Sequence, residues 1–215
     1  MDEALLQRLI AAAIIILISF PVHEFSHAFA AFKLGDSTAR YQGRLTLNPA
    51  KHFDPLGGIL LLLGAVVGGF LIGWAKPTPV NPINLRGGRR SEALVALAGP
   101  LSNLILAALV AIPLRIILMT PEMRGAVGSN ELAVFLFGVA ETFVFINLIL
   151  MVFNLLPIPP LDGWHVLLSL VNPRTAYTLR QYEQYGFIII VILIVSGVTI
   201  VGDVVSTLQR WLIGS

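Results

Sequence analysis

The residues best suited to chemistry are His23, Glu24 and His27, which form an H-E-x-x-H pattern. On a helix, the two histidines lie one turn apart on the same face, so both imidazoles can bind a single Zn²⁺ ion. Glu24 follows His23 directly and is close enough to act as a general base on an attacking water molecule. In a water-soluble protein, this pattern indicates a metalloprotease.

The H-E-x-x-H pattern lies inside a stretch with the composition of a membrane-spanning helix. No charged residue occurs between Arg8 and Glu24, and residues 11–20 are mostly Ala, Ile, Leu and Phe. Ionisable groups within a membrane are costly and usually mark function. The alternative is a chance pattern in which the histidines pair with neighbouring helices. Pro21 is expected to kink or loosen this helix just before the pattern.

Composition agrees with a membrane protein. The chain of 215 residues is 56% hydrophobic and 12% charged, against roughly 25% charged residues in an ordinary soluble domain. This predicts one integral-membrane domain, residues 1–215, with the lipid bilayer as its surroundings. The basic residues flank apolar segments and form no patch, so nucleic acid is not expected as a partner. Because the chain has no cysteine, a metal must be bound by His, Asp or Glu.

Apolar segments predict an all-α polytopic membrane protein with about four full transmembrane helices. A further apolar segment, residues 55–75, is rich in glycine and is predicted to re-enter the membrane or to form a fifth crossing. Prolines predict a broken helix at residues 154–163. Alternating or proline-rich sequence predicts short extended or β elements near residues 44–48 and 74–82. The expected full spans are residues 5–32, 93–114, 131–154 and 185–202.

The basic residues favour the re-entrant arrangement. Lys and Arg concentrate on the cytoplasmic side of membrane proteins. If residues 55–75 re-enter, ten of the 14 basic residues lie on one side of the membrane, whereas a full crossing places seven on each side. The prediction is therefore a re-entrant segment, with the active site toward the cytoplasmic side of a bacterial or archaeal plasma membrane.

Asp162 is the candidate for a third metal ligand. It follows three prolines that must end the preceding helix, and irregular backbone at membrane depth is tolerated only where it is buried in protein or lines a water-filled cavity. Two histidines and one aspartate make a catalytic zinc site with its fourth position open. Alternatively, Asp162 caps the helix that follows it.

Three other polar residues have open roles. Asn103 lies in an apolar segment, where asparagine often links helices, and is equally suited to a substrate role. Asn147 is carried by another apolar segment. His52 either approaches the active site or forms local hydrogen bonds. Glu141 is catalytic, structural or paired with an arginine.

Three motifs together resemble the site-2 protease family of intramembrane zinc metalloproteases. Each is weak or moderate alone, but their order and hydrophobic setting make the combination specific. No room exists for an inserted PDZ or CBS domain, so the chain resembles a minimal form. The motifs are His23-Glu24-Phe25-Ser26-His27, Gly99-Pro100-Leu101-Ser102-Asn103, and Asn154-Leu155-Leu156-Pro157 continuing to Leu161-Asp162-Gly163.

The resemblance implies a role for each matching residue. Glu24 becomes the catalytic base, and one Zn²⁺ ion is the cofactor. Asn103 and Asn154 are implied to hold the substrate or an intermediate near the metal. The stretches around Arg44 and Thr46 and around 74–82 resemble elements that receive the substrate as an added strand. The implied zinc ligands are His23, His27 and Asp162.

The expected function is hydrolysis of peptide bonds in or near transmembrane segments of membrane proteins. One alternative is a polytopic transporter or ion channel with an intramembrane metal or proton site. Another is a membrane metalloprotease that cleaves prenylated peptides, for which Glu141 would be the third ligand. The sequence leaves open the substrate's identity and the oligomeric state.

Overall fold

The computed structural model describes residues 3–67, 73–195 and 200–214, and every regular element within them is helical. The first part contains α1 (Glu3–Ile14), α2 (Phe20–Lys33), α3 (Thr38–Tyr41), α4 (Pro49–His52) and α5 (Pro55–Val67). The remainder contains α6 (Arg89–Met119), α7 (Pro121–Gly128), α8 (Glu131–Asn154), α9 (Asp162–Leu170), α10 (Pro173–Arg180), α11 (Gly186–Val195) and α12 (Ile200–Ile213).

Three helical stretches in the described part are long and apolar enough to cross a membrane. They are Leu5–Lys33, Arg89–Met119 and Glu131–Asn154. The described residues therefore form an all-helical membrane protein, as the sequence predicts, and contain three of the four expected full spans. The expected last span, residues 185–202, is helical on both sides of residues 196–199, which lie outside the described residues.

The first long helix changes its hydrogen-bonding pattern just before the H-E-x-x-H motif. Residues Ile15–Ser19 form a π-helical segment between α1 and α2, and Pro21 lies in the first turn of α2. Proline has no N–H to donate to the carbonyl four residues earlier. A π turn uses a wider spacing and is often found near functional sites. The loosening expected at Pro21 corresponds to this segment.

Helix α6 lies at the centre of the fold and packs against α2, α8, α9 and α12. Many of the buried residues of α6 have small side chains or none, including Gly99, Ala107 and Ala111. Small side chains allow helix backbones to come close together in membrane proteins. Helix α6 therefore brings α2 and α9, which carry the predicted metal ligands, to one place.

The predicted helix break after α8 is present. Helix α8 ends at Asn154 and α9 begins at Asp162. The connection is compact: its backbone passes so close to Gly163 that a Cβ atom there would collide with the carbonyls of Leu155 and Leu156. Asp162 lies in the first turn of α9, which packs against α6.

Helix α5 has 13 residues and ends before residues 68–72, which are not described. The chain that follows passes beside the beginning of the same helix. A Cβ atom on Gly57 would collide with the backbone of Trp74, and one on Gly73 would lie 2.6 Å from the Gly57 carbonyl oxygen. Glycine at both positions permits this close approach of two backbones.

The two stretches predicted as short β elements are irregular, and the described residues contain no β strand. Residues 44–48 contain two bends, and residues 73–81, which we call the strap, have no regular secondary structure. Pro77 and Pro79 lie at alternate positions of the strap and lack the N–H groups that one edge of a β ladder requires. The strap is held by the side chains of Glu24, Asp36 and Arg44 and by one backbone hydrogen bond to His52.

Candidate metal centre

His23, His27 and Asp162 converge at one point between α2 and α9. The Nε2 atoms of the two histidines are 3.0 Å apart. The carboxylate of Asp162 lies 3.2 Å from Nε2 of His23 through Oδ2 and 3.3 Å from Nε2 of His27 through Oδ1. The one-turn spacing on α2 brings the two histidines together. The break between α8 and α9, which contains the prolines, places Asp162 beside them.

These distances fit a tetrahedral zinc site. Zinc binds His nitrogen and carboxylate oxygen at about 2.0–2.2 Å, so neighbouring ligand atoms are expected to lie roughly 3.3 Å apart. Oδ2 of Asp162 is buried and forms no hydrogen bond within the described residues. A buried carboxylate oxygen without a hydrogen bond, beside two imidazole nitrogens, has the surroundings of a metal ligand.

The far side of each imidazole has a hydrogen-bond partner. Nδ1 of His27 lies 2.7 Å from the backbone carbonyl oxygen of Val95, and Nδ1 of His23 lies 2.6 Å from Oδ1 of Asn103. A carbonyl can only accept, so His27 donates from Nδ1 and presents the lone pair of Nε2 to the centre. Such partners orient histidine ligands in metal proteins.

Gly99 on α6 leaves the space toward which the histidines point. A Cβ atom at this position would collide with Nε2 of His27 and would lie 2.6 Å from Cε1 and Nε2 of His23. Any side chain here would occupy the ligand atoms' immediate surroundings. The backbone of α6 therefore forms one wall of the centre, and the residues present fit a bound metal ion.

Glu24 lies beside the centre and is held by the strap. Its carboxylate oxygen Oε2 accepts a hydrogen bond of 2.7 Å from the backbone N–H of Thr78. The hydroxyl of Thr78 also donates to the backbone carbonyl of Glu24, at 3.0 Å. Among the described residues, Glu24 is outside the group of side chains that can hold a metal together, as expected for a base.

A cavity of about 630 Å³ opens on this centre. Its volume is in the range of small-molecule and cofactor sites. Helices α2 and α9 and the strap contribute its walls, so a chain entering the cavity would meet both the base and the candidate ligands. Lining residues include His23, Glu24, His27, Thr78, Asn154 and Asp162.

The two predicted substrate asparagines have different surroundings. Asn154 lines the cavity, and its Nδ2 donates to the carbonyl of Leu150 at 2.9 Å. Asn103 is fully buried behind His23 and is absent from the described lining of the cavity. Its Nδ2 donates to Oδ1 of Asn147 at 2.9 Å. The sequence assigns Asn147 no role, and the one feature that singles it out is that its polar amide lies within an apolar segment.

Arg44 and Thr46 support the strap and its neighbouring loop. The buried guanidinium group of Arg44 donates to the carbonyl oxygens of Lys76 and Pro77, two strap residues. The carbonyl of Thr46 accepts a hydrogen bond of 2.7 Å from Nε2 of His52. His52 therefore has a local structural role.

His52 is almost fully buried in α4, and its backbone carbonyl also receives the N–H of Lys76 at 2.8 Å. Burial lowers the pKa of the His52 imidazole, so the ring is neutral at pH 7 and donates from Nε2.

Glu141 belongs to α8 and is absent from both the described metal-binding group and the described cavity lining. The carboxylate in the candidate ligand group is that of Asp162. The arrangement therefore gives no support to a prenyl-peptide protease that uses Glu141 as its third zinc ligand.

Comparison with known proteins identifies the family. The family model described as Peptidase family M50 matches residues 116–197. YwhC of Bacillus subtilis, named as a candidate zinc metalloprotease, is 46% identical over 85% of this chain and 79% of its own length. Rip2 of Mycolicibacterium smegmatis, named in the same way, is 36% identical over 91% of this chain and 67% of its own length. No solved structure gives a significant match.

These similarities favour a protease over a transporter or channel. The chain is a membrane-embedded zinc metalloprotease, and proteins of this family act on membrane-protein substrates. It belongs to peptidase family M50, the site-2 protease family.

Proposed function

We propose that His23, His27 and Asp162 bind one zinc ion and that Glu24 is the catalytic base for peptide-bond hydrolysis within the membrane. The observation that carries this proposal is the convergence of the three ligand atoms, with Glu24 lining the same cavity. The proposed base and the three proposed ligands therefore border the same space. The ligands are held from behind by hydrogen bonds, and the base is held by the strap.

The proposed mechanism divides the work between the metal and the chain. A bound zinc ion supplies a Lewis acid that polarises the peptide carbonyl and makes water more acidic. Glu24 takes the proton of the attacking water and returns it to the leaving amine. Thr78 keeps the carboxylate of Glu24 aimed into the cavity through its backbone N–H. Val95 and Asn103 keep the two imidazoles in place.

The proposed substrate is a transmembrane segment that unwinds before cleavage. Backbone amides of a helical substrate are bonded internally, so an extended segment needs replacement partners. Residues 44–48, which include Arg44 and Thr46, together with the strap, are proposed to receive it. The bonds from Arg44 to the carbonyl oxygens of the strap support this proposal, because they hold the two stretches together. Asn154 is proposed to contact the substrate from the other side of the cavity.

We propose that residues 55–75 re-enter the membrane without crossing it. The contact between Gly57 and Trp74 supports a return to the side of entry. Basic residues then concentrate on the side that we assign to the cytoplasm.

The whole chain, residues 1–215, is proposed to act as one proteolytic domain in a bacterial or archaeal plasma membrane. The similarity to bacterial relatives, which covers most of the chain, supports this assignment. In the proposed orientation, His23 and His27 lie in the cytoplasmic half of the membrane-spanning stretch Leu5–Lys33. The substrates are proposed to be cleaved near their cytoplasmic ends.

Co-expression with single-span membrane proteins tests the proposed function. We expect the parent protein to produce cleavage fragments and the Glu24→Gln variant to produce none while it retains zinc. Glu131→Gln, at the exposed start of α8, is the matched control and is expected to cleave like the parent. Cleavage by Glu24→Gln near the parent rate would contradict the assignment of Glu24 as the base.

A further inference from the structure

Three buried polar side chains form a continuous line from α8 through α6 to α2. Asn147 donates from Nδ2 to the carbonyl oxygen of Phe143 at 2.9 Å. Oδ1 of Asn147 accepts a 2.9 Å hydrogen bond from Nδ2 of Asn103. Oδ1 of Asn103 lies 2.6 Å from Nδ1 of His23. Both asparagines are fully buried, and His23 is 7% exposed.

The direction of every hydrogen bond in this line follows from its first member. A backbone carbonyl can only accept, so the amide group of Asn147 that faces Phe143 must be its NH₂ group. The oxygen of Asn147 then faces Asn103 and must receive the NH₂ group of that residue. The oxygen of Asn103 is left facing His23. Nδ1 of His23 therefore carries a hydrogen and donates it.

This direction sets which nitrogen of His23 is available to a metal. With its hydrogen on Nδ1, the neutral imidazole has the Nε2 lone pair directed toward His27 and Asp162. His27 reaches the same state by donating directly to the carbonyl of Val95. A helix carbonyl thus orients each histidine, directly for His27 and through two amides for His23.

We propose that Asn147 is a positioning residue for His23 and acts through Asn103. The proposal rests on the zinc-binding role of His23 stated above. Asn147 is outside the described metal-binding group and the described cavity lining, so its effect must pass through its neighbour. Without Asn147, the NH₂ group of Asn103 loses its partner in a buried site, and either orientation of that amide leaves a polar group unpaired.

Zinc affinity in detergent-purified protein, measured by competition with a chelator, tests this proposal. The main variants are Asn147→Leu and Asn103→Leu, which have similar size and lack hydrogen-bonding groups. We expect each to weaken zinc binding about tenfold or more, as the loss of a ligand's hydrogen-bond partner typically does. Thr142→Val is the matched control, because within the described part of the chain the Thr142 hydroxyl bonds only to the Gly138 carbonyl of its own helix.

Two further variants separate positioning from general packing. Asn147→Asp keeps an acceptor for Nδ2 of Asn103 and is expected to bind zinc more tightly than Asn147→Leu. The double variant Asn147→Leu/Asn103→Leu is expected to bind zinc only slightly more weakly than Asn103→Leu alone. Both substitutions act through the same hydrogen bond from His23 to Asn103. The melting temperature of each zinc-free variant provides a check on folding that does not depend on the metal.

Parent-like zinc affinity in folded Asn147→Leu protein would overturn the proposal. So would an equal loss in Thr142→Val, or fully additive losses in the double variant. If Asn147→Leu does not fold, Asn147→Ala is compared with Asn147→Asp, and equal zinc affinities in that pair would also overturn it. None of these measurements uses proteolysis, so failure of the peptidase assignment would be seen separately.

Discussion

The backbone N–H of Thr78 donates a 2.7 Å hydrogen bond to the carboxylate of Glu24, and the Thr78 hydroxyl donates to the backbone carbonyl of the same glutamate. The strap is thereby fastened to α2 at the residue proposed as the base. A general base must be aimed at its proton before it can work. The strap consequently has a role in orienting the base as well as in bordering the cavity.

Replacing Thr78 by proline tests this role of the strap. The variant lacks the N–H that holds Glu24, and we expect kcat to fall about tenfold or more, up to the roughly 10²–10⁴-fold that a general base typically contributes. Thr78→Val retains the N–H and is expected to lose less activity. Both should retain zinc. Parent-like kcat in Thr78→Pro, measured on a single-span substrate, would show that this hydrogen bond does not orient the base.

A pair of amide substitutions tests the identity of the third ligand. Asp162→Asn removes the carboxylate that faces both histidines and is expected to lose most of its bound zinc. Glu141→Gln makes the same chemical change in α8, away from the centre, and is expected to retain zinc. Metal content after purification and dialysis measures both. Zinc loss in Glu141→Gln with retention in Asp162→Asn would reverse the assignment.

Single cysteines test the re-entrant arrangement, because the chain contains no cysteine of its own. Tyr41 and Ile83 are 86% and 92% exposed and flank residues 55–75. We expect Tyr41→Cys and Ile83→Cys to react with a membrane-impermeant thiol reagent from the same face. Ser129→Cys, between α7 and α8, is expected to react from the other face. Labelling of positions 41 and 83 from opposite faces would require a full crossing.

Asp36 predicts a pH dependence for the attachment of the strap. Burial alone would raise the pKa of Asp36, but hydrogen bonds from Thr38, Asn84 and Asn81 outweigh it and hold the pKa below its ordinary value. A lowered pKa means that ionised Asp36 stabilises the folded loop. This stabilisation is present above the ordinary pKa of about 3.9 and is lost as pH falls through the lower, folded value.

Hydrogen exchange at the Asn81 amide measures this effect, since that N–H donates to Asp36 at 2.7 Å. We expect the free energy of local opening to decrease below about pH 4 in the parent. Asp36→Asn should open more readily at neutral pH and lack this pH dependence. An identical pH profile in both proteins would contradict the role assigned to Asp36.

The grouping of the three proposed zinc ligands could be predicted from sequence because their geometry is local or strongly constrained. One turn of helix brings His23 and His27 together. Asp162 follows prolines that must end α8. Irregular backbone at membrane depth is tolerated only where it is buried in protein or lines a water-filled cavity, so a carboxylate at such a break is a ligand candidate as well as a candidate helix cap. Periodicity and helix-breaking residues therefore give most of the metal centre.

The surroundings of these ligands could not be predicted in the same way. The sequence shows Asn103 as a polar residue in an apolar segment, but the rotation of α6 about its axis decides whether it faces the cavity or the back of His23. That rotation depends on packing between helices. The contact between Thr78 and Glu24 joins residues far apart in the chain, and no periodic pattern in the strap indicates it.

Gly99 gives the protein a vulnerability that no ligand substitution would reveal. Because the backbone of α6 lies directly against both imidazoles, the smallest added side chain would project among the ligand atoms. An alanine methyl group at position 99 would occupy the space beside the Nε2 atoms in which the zinc ion is proposed to bind. Because the methyl group is covalently part of the helix, zinc could not displace it. His23, His27, Asp162 and Glu24 would all remain chemically intact.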